Sequence, residues 1–96
     1  MAADLMTCRL AEDDLVQVIV SESSEGLFLQ EVRKHGMTTQ TPITREEWDS
    51  QNIRLSSNSF GFRFLRYTYS EFFNETGWFV EAGGGMSYSI SRADCR

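Results

Sequence analysis

Residues able to do chemistry are few and scattered. The 96-residue chain holds one histidine, His35, and two cysteines, Cys8 and Cys95. A thiol–imidazole nucleophile needs the base within hydrogen-bond reach of the sulfur, and no local spacing sets His35 beside either cysteine. Structural zinc takes four nitrogen or sulfur ligands and catalytic zinc three protein ligands, more than any one stretch offers. Asp13-Asp14 and Glu46-Glu47 are adjacent carboxylates. Neighbours on a strand, however, point to opposite faces, and Asp13-Asp14 lacks the alternating ligands and glycine of a calcium loop. Gly83-Gly84-Gly85 would suit a phosphate cradle only if it led into a helix N-terminus. An alternating strand pattern follows instead, so the run reads as a bulge or a close backbone approach. The expectation is no catalytic residue, no metal and no cofactor.

Charge carries more information. Up to Glu31 seven acids face one base, and from Val32 onward seven acids face eight bases, so the net charge of −5 arises in the first third. Phosphate binding is driven by Lys and Arg. This balance therefore disfavours direct contact with nucleic acid or an anionic membrane and favours another protein with a basic surface. Seven Phe, three Tyr and two Trp supply both core area and candidate anchors, since aromatic residues dominate binding hot spots. The expected partner-binding residues are Glu12, Asp13, Asp14, Glu22 and Glu25 for steering. Phe72, Phe73 and Trp78 are the expected anchors around a predicted turn, with core packing as the alternative for all three rings.

These features imply a non-catalytic protein-binding module. Its most concrete form is a small acidic inhibitor or modulator of another protein, such as a nucleic-acid-handling complex, of the kind phages and mobile elements encode. A second reading is an accessory subunit or homodimer pairing through a sheet edge, with the final strand as that edge. A third is a small enzyme or ligand-binding domain, which requires a concave pocket with polar groups from separate strands. Phe60-Gly61-Phe62-Arg63-Phe64 partly resembles the aromatic strand motif of RNA-recognition domains. Asn58 and Ser59 stand where that motif has a base and glycine, and Arg63 where it has an aliphatic residue. Core packing accounts for it better.

The elements that must position these residues form one domain, 1–96, of α+β class: a small antiparallel sheet of about 4–5 strands with one short helix near 45–51. Leu15–Val20 and Leu27–Arg33 flank the turn-rich Ser21–Gly26 and read as a hairpin. Thr44 with Glu47 three positions later matches a capping box, and Ile43 with Trp48 a hydrophobic staple, with Trp48 the expected core anchor. Between Ser59 and Ser70 the apolar set changes parity at Phe64-Leu65, which implies burial on both faces or a bulge. Residues 71–76 read as a helical turn or a strand end. Met86–Ser91 alternates cleanly, as a half-buried strand does. The N-terminus lacks a basic, then apolar, leader, and no apolar run nears the ~18 residues of a membrane span. The expected location is cytoplasmic, with Cys8 and Cys95 reduced; terminal strands lying side by side would allow them to pair.

Overall fold

A computed structural model describes residues 3–11, 15–55, 62–71, 74–84 and 87–96. In chain order the elements are β1 (Ala3–Leu10), β2 (Leu15–Ser23), β3 (Gly26–Arg33), β4 (Thr38–Ile43), α1 (Arg45–Ser50), β5 (Asn52–Arg54), β6 (Phe62–Tyr69), β7 (Glu75–Gly84) and β8 (Ser87–Cys95). All eight strands lie in one antiparallel sheet, in the order β4-β3-β2-β1-β8-β7-β6-β5. Two four-stranded meanders thus meet through the first and last strands. The edges, β4 and β5, are consecutive in the chain and bridged by α1, so the sheet curls into a nearly closed barrel.

This corrects the α+β expectation of 4–5 strands: the chain is nearly all sheet. The unassigned strands were those with weak local signals. β1 buries Met6, Cys8 and Leu10 while Thr7 and Arg9 face outward, but its first residues are polar or small. β4 is Thr-Thr-Gln-Thr-Pro-Ile, an exposed edge strand. β5 is three residues long. An eight-stranded barrel encloses just enough room for its own side chains, and the core cluster draws on all eight strands, including Cys8, Val20, Leu29, Ile43, Ile53, Phe64, Val80 and Ala93.

Local chemistry explains the turns. Ser23 pairs with Gly26 across a two-residue loop, with Gly26 at φ +125° and the Glu25 amide donating to Ser23 Oγ at 3.2 Å. At the β3–β4 turn the Arg33 amide donates to the Met37 carbonyl at 2.8 Å, and Gly36 adopts φ +83°; this is a three-residue hairpin loop with glycine at the left-handed position. The β6–β7 register is unbroken, while Phe64 and Leu65 are both buried. Of the two options for the parity change, burial on both faces is therefore the one realised.

Helix α1 matches its expected span to within one residue. Thr44 Oγ1 accepts from the Glu47 amide at 3.0 Å, and Glu47 Oε1 accepts from the Thr44 amide at 3.0 Å. Ile43 is buried and Trp48, half-buried, packs against the same core cluster. Trp48 stacks on Trp78 at 6.3 Å between centroids, and Trp78 on Phe64 at 4.7 Å, a three-ring column from helix to core.

The final strand is not an edge. β8 pairs with β1 on one side and β7 on the other, which corrects the edge-pairing assignment. The actual edges are blunted. Arg33–Met37 is a hydrogen-bonded pair, so alternation puts Pro42, opposite Phe28, on a non-bonded pair; its missing N–H falls on the outer side of β4. On β5 the outward Arg54 amide is taken by Glu47 Oε2 at 3.0 Å.

Cys8 and Cys95 form a disulfide, which corrects the expectation of reduced thiols. The Thr7 and Arg96 backbones exchange hydrogen bonds of 3.0 and 2.8 Å. The next pair, Cys8–Cys95, is therefore a non-hydrogen-bonded one, where side chains approach most closely. Among the described residues the β1–β8 register holds Cys8–Cys95, Arg9–Asp94 and Leu10–Ala93 beyond the Thr7–Arg96 pair, against eight pairs between β6 and β7. The bond fastens a short ladder of the sheet.

Candidate functional site

The β6–β7 hairpin outruns the rest of the sheet. β5 reaches only to Asn52 opposite Leu65, with one further bond from the Arg66 amide to the Gln51 carbonyl at 2.9 Å. On the other side, the β7–β8 ladder stops at Trp78–Ala93. Beyond these limits the pairs Tyr67–Gly77, Thr68–Thr76 and Tyr69–Glu75 make a two-stranded ribbon. Asn74, at φ +50°, turns the chain into β7, so residues 75 and 76 are strand.

The ribbon is stiffened by its side chains. Tyr67 and Tyr69 meet edge to face at 4.8 Å, and Tyr69 meets Phe79 at 4.7 Å. The Tyr69 hydroxyl donates to the Glu81 carboxylate, Thr68 and Thr76 share a hydroxyl hydrogen bond of 2.5 Å, and Glu75 pairs with Arg92 at 2.5 Å. Phe79 and Leu65 are buried beneath this outer row, yet Tyr67 remains 54% exposed. Among the residues whose burial is described it is the one exposed aromatic; Arg66, exposed as well, has the opposite parity and lies on the other face of the ribbon. An exposed tyrosine held in place by its neighbours is the residue chemistry that concentrates binding energy.

Acidic groups lie at the same end. Glu22 pairs with Arg45 of α1 at 2.5 Å, and Glu25 is exposed in the adjoining β2–β3 turn. Asp4, opposite Ser21, and Glu46 and Asp49 of α1 are exposed nearby. Because α1 leads directly into Asn52, opposite Leu65, this is the end from which the ribbon projects.

Of the expected anchors, Trp78 is in the core at 9% exposure, so it corrects to the packing alternative. It is the fourth residue of β7 and shares the inward parity of Val80. Phe72 and Phe73 lie outside the described residues, as do Glu12, Asp13 and Asp14. Tyr67 was not expected. Its signal was the shared parity of Leu65, Tyr67 and Tyr69, but only the pairing limits of β5 and β8 reveal that this segment stands clear.

The other polar clusters are shallow. A cleft of about 300 Å³ lies between α1 and β5–β6, lined by Glu46, Ser50, Asn52, Arg54 and Arg63 among others. Within it, burial raises the Glu47 carboxyl, but the Thr44 and Arg54 amides, the Thr44 hydroxyl and the Arg54 charge outweigh burial and hold it below its ordinary value of 4.5. Glu47 thus ties helix to edge strand. A second dent of about 290 Å³, among Thr7, Arg9, Gln17, Asp94 and Arg96, lies over the outer face of β1 and β8. His35 is exposed in the β3–β4 turn, and both thiols are consumed in the disulfide. Gly83 and Gly84 continue β7. Among the described residues no three His, Cys, Asp or Glu side chains converge on one point, and no helix is long and apolar enough to cross a membrane. No protein-family model matches the chain, and comparison with curated proteins and with solved structures returns no match.

Proposed function

We propose that the chain is a non-catalytic protein-binding module, a small acidic inhibitor or modulator that docks on a basic surface of another protein through the β6–β7 ribbon. The carrying observation is Tyr67, 54% exposed on a ribbon braced by the Tyr69–Phe79 contact. Asp4, Glu22 and Glu25 orient the approach, since charges at a rim act on encounter more than on final affinity. The disulfide bears on compartment: such bonds persist in oxidising surroundings, which favours those over the cytoplasmic location expected from sequence. That preference also removes support from the version in which the target handles nucleic acid.

A photo-crosslinking residue placed at position 67, with a control at Thr39 on β4, tests the reading in extract of the cells that make the protein. The expected product forms from position 67 only, weakens as salt rises, and is competed by unlabelled wild-type chain. A folded Tyr67→Ala chain should not compete. Equal products from both positions, or equal competition by the variant, would defeat the proposal.

A further inference from the structure

The two cysteines of the disulfide differ in burial. Cys8 is 0% exposed, within the core cluster and directly across from Val18. Cys95, packed against the same cluster, is only partly buried, at the end of β8 and followed by exposed Arg96. Thiol–disulfide exchange proceeds by thiolate attack on one sulfur, and access decides which. We propose that Cys95 is a one-sided thiol-exchange site, open to a small thiol of the glutathione class while Cys8 is closed to it. This inference is independent of the docking surface above.

In the first step the attacking thiolate bonds to Cys95 Sγ and the Cys8–Cys95 bond breaks. The electron pair leaves on Cys8 Sγ, which takes up a proton. In the second step another thiol attacks the mixed disulfide. It bonds to the first small-molecule sulfur and releases Cys95, so two thiols are oxidised as one disulfide is reduced. Burial governs the pace of both directions. An apolar site disfavours a thiolate, so Cys8 leaves slowly. Once protonated there, it is also a weak nucleophile for the return attack. The mixed disulfide on Cys95 therefore lasts long enough to be trapped.

The test uses the oxidised, folded chain with reduced glutathione at mildly alkaline pH. The reaction is quenched with an alkylating agent, and the adducts are mapped by mass spectrometry after proteolysis. The expected result is glutathione on the Cys95 peptide in at least about tenfold excess over the Cys8 peptide, following the difference in access. Equal labelling, a Cys8 preference, or a chain isolated in air with both thiols free would each overturn it. Single variants provide the second measurement, with near-UV circular dichroism confirming the fold. With oxidised glutathione, Cys8→Ser should be modified at Cys95 at least about tenfold faster than Cys95→Ser is modified at Cys8.

Discussion

Removing the Cys8–Cys95 bond tests how the two meanders are held together. The bond closes a loop with a sequence separation of 87 residues. In the chain-entropy treatment a loop of that length is worth about 4.6 kcal/mol at 25 °C, because cross-linking confines the unfolded chain. For a domain of this size, each kcal/mol moves the melting temperature by several degrees, so the loss corresponds to a fall of roughly 20–35 °C. The native ladder offers little to offset it, since among the described residues β1 and β8 share three register pairs besides Thr7–Arg96. The assay is thermal unfolding followed by near-UV circular dichroism of Trp48 and Trp78. Oxidised wild type, reduced wild type and Cys8→Ala/Cys95→Ala should be compared. Reduced wild type keeps both sulfurs and reads closure alone. The double variant adds the void left at Cys8, about 1 kcal/mol more. A reduced chain within about 1 kcal/mol of the oxidised one would refute the reasoning, and would mean that core packing alone holds β1 to β8.

Three further outcomes are expected. Glu47 has a lowered carboxyl value in the fold, so its contribution is full above the unfolded value and is lost as pH falls through the folded one. Glu47→Gln should therefore flatten the acid limb of the stability curve below about pH 4.5; parallel limbs for variant and wild type would count against the bridge between α1 and β5. Trp78→Ala should cost about 4 kcal/mol and Trp48→Ala about 2 kcal/mol, because Trp78 is enclosed while Trp48 keeps one side toward solvent; urea unfolding measures both, and a reversed order would discredit the ring column. Tyr67→Ala should leave stability within about 0.5 kcal/mol yet weaken partner capture by at least about tenfold; a large loss in the melt would mean that the ring serves the fold.

How much was legible in the chain depends on the range of each signal. The capping box at Thr44 and Glu47 is complete within four residues, so α1 could be read directly. The β2–β3 hairpin likewise follows from adjacent apolar runs and the intervening Ser-Ser-Glu-Gly. The parity change at Phe64-Leu65 correctly narrowed the options but could not decide between them. By contrast β4 is polar because it is an edge, and β5 is too short to show a period. The contact that joins the two meanders links Cys8 to Cys95, and no local pattern encodes a pairing at that distance. The exposed end was obscured for the same reason. Trp78 and Tyr67 are both aromatic residues of one hairpin; alternation sends Trp78 inward and Tyr67 outward, and the short reach of β5 and β8 leaves Tyr67 bare.

The strand order has a bearing on assembly. Within each meander every partner is the next strand along, so pairing proceeds by short loop closures whose entropic cost is small. One ladder alone, between β1 and β8, must bring distant segments together. The chain is thus expected to build two local half-sheets early and to reach the native state at a single late seam, with the rate set by that last encounter. An intermediate with formed hairpins and an open β1–β8 joint would expose the backs of both halves, and it is at this stage that a second chain could intrude.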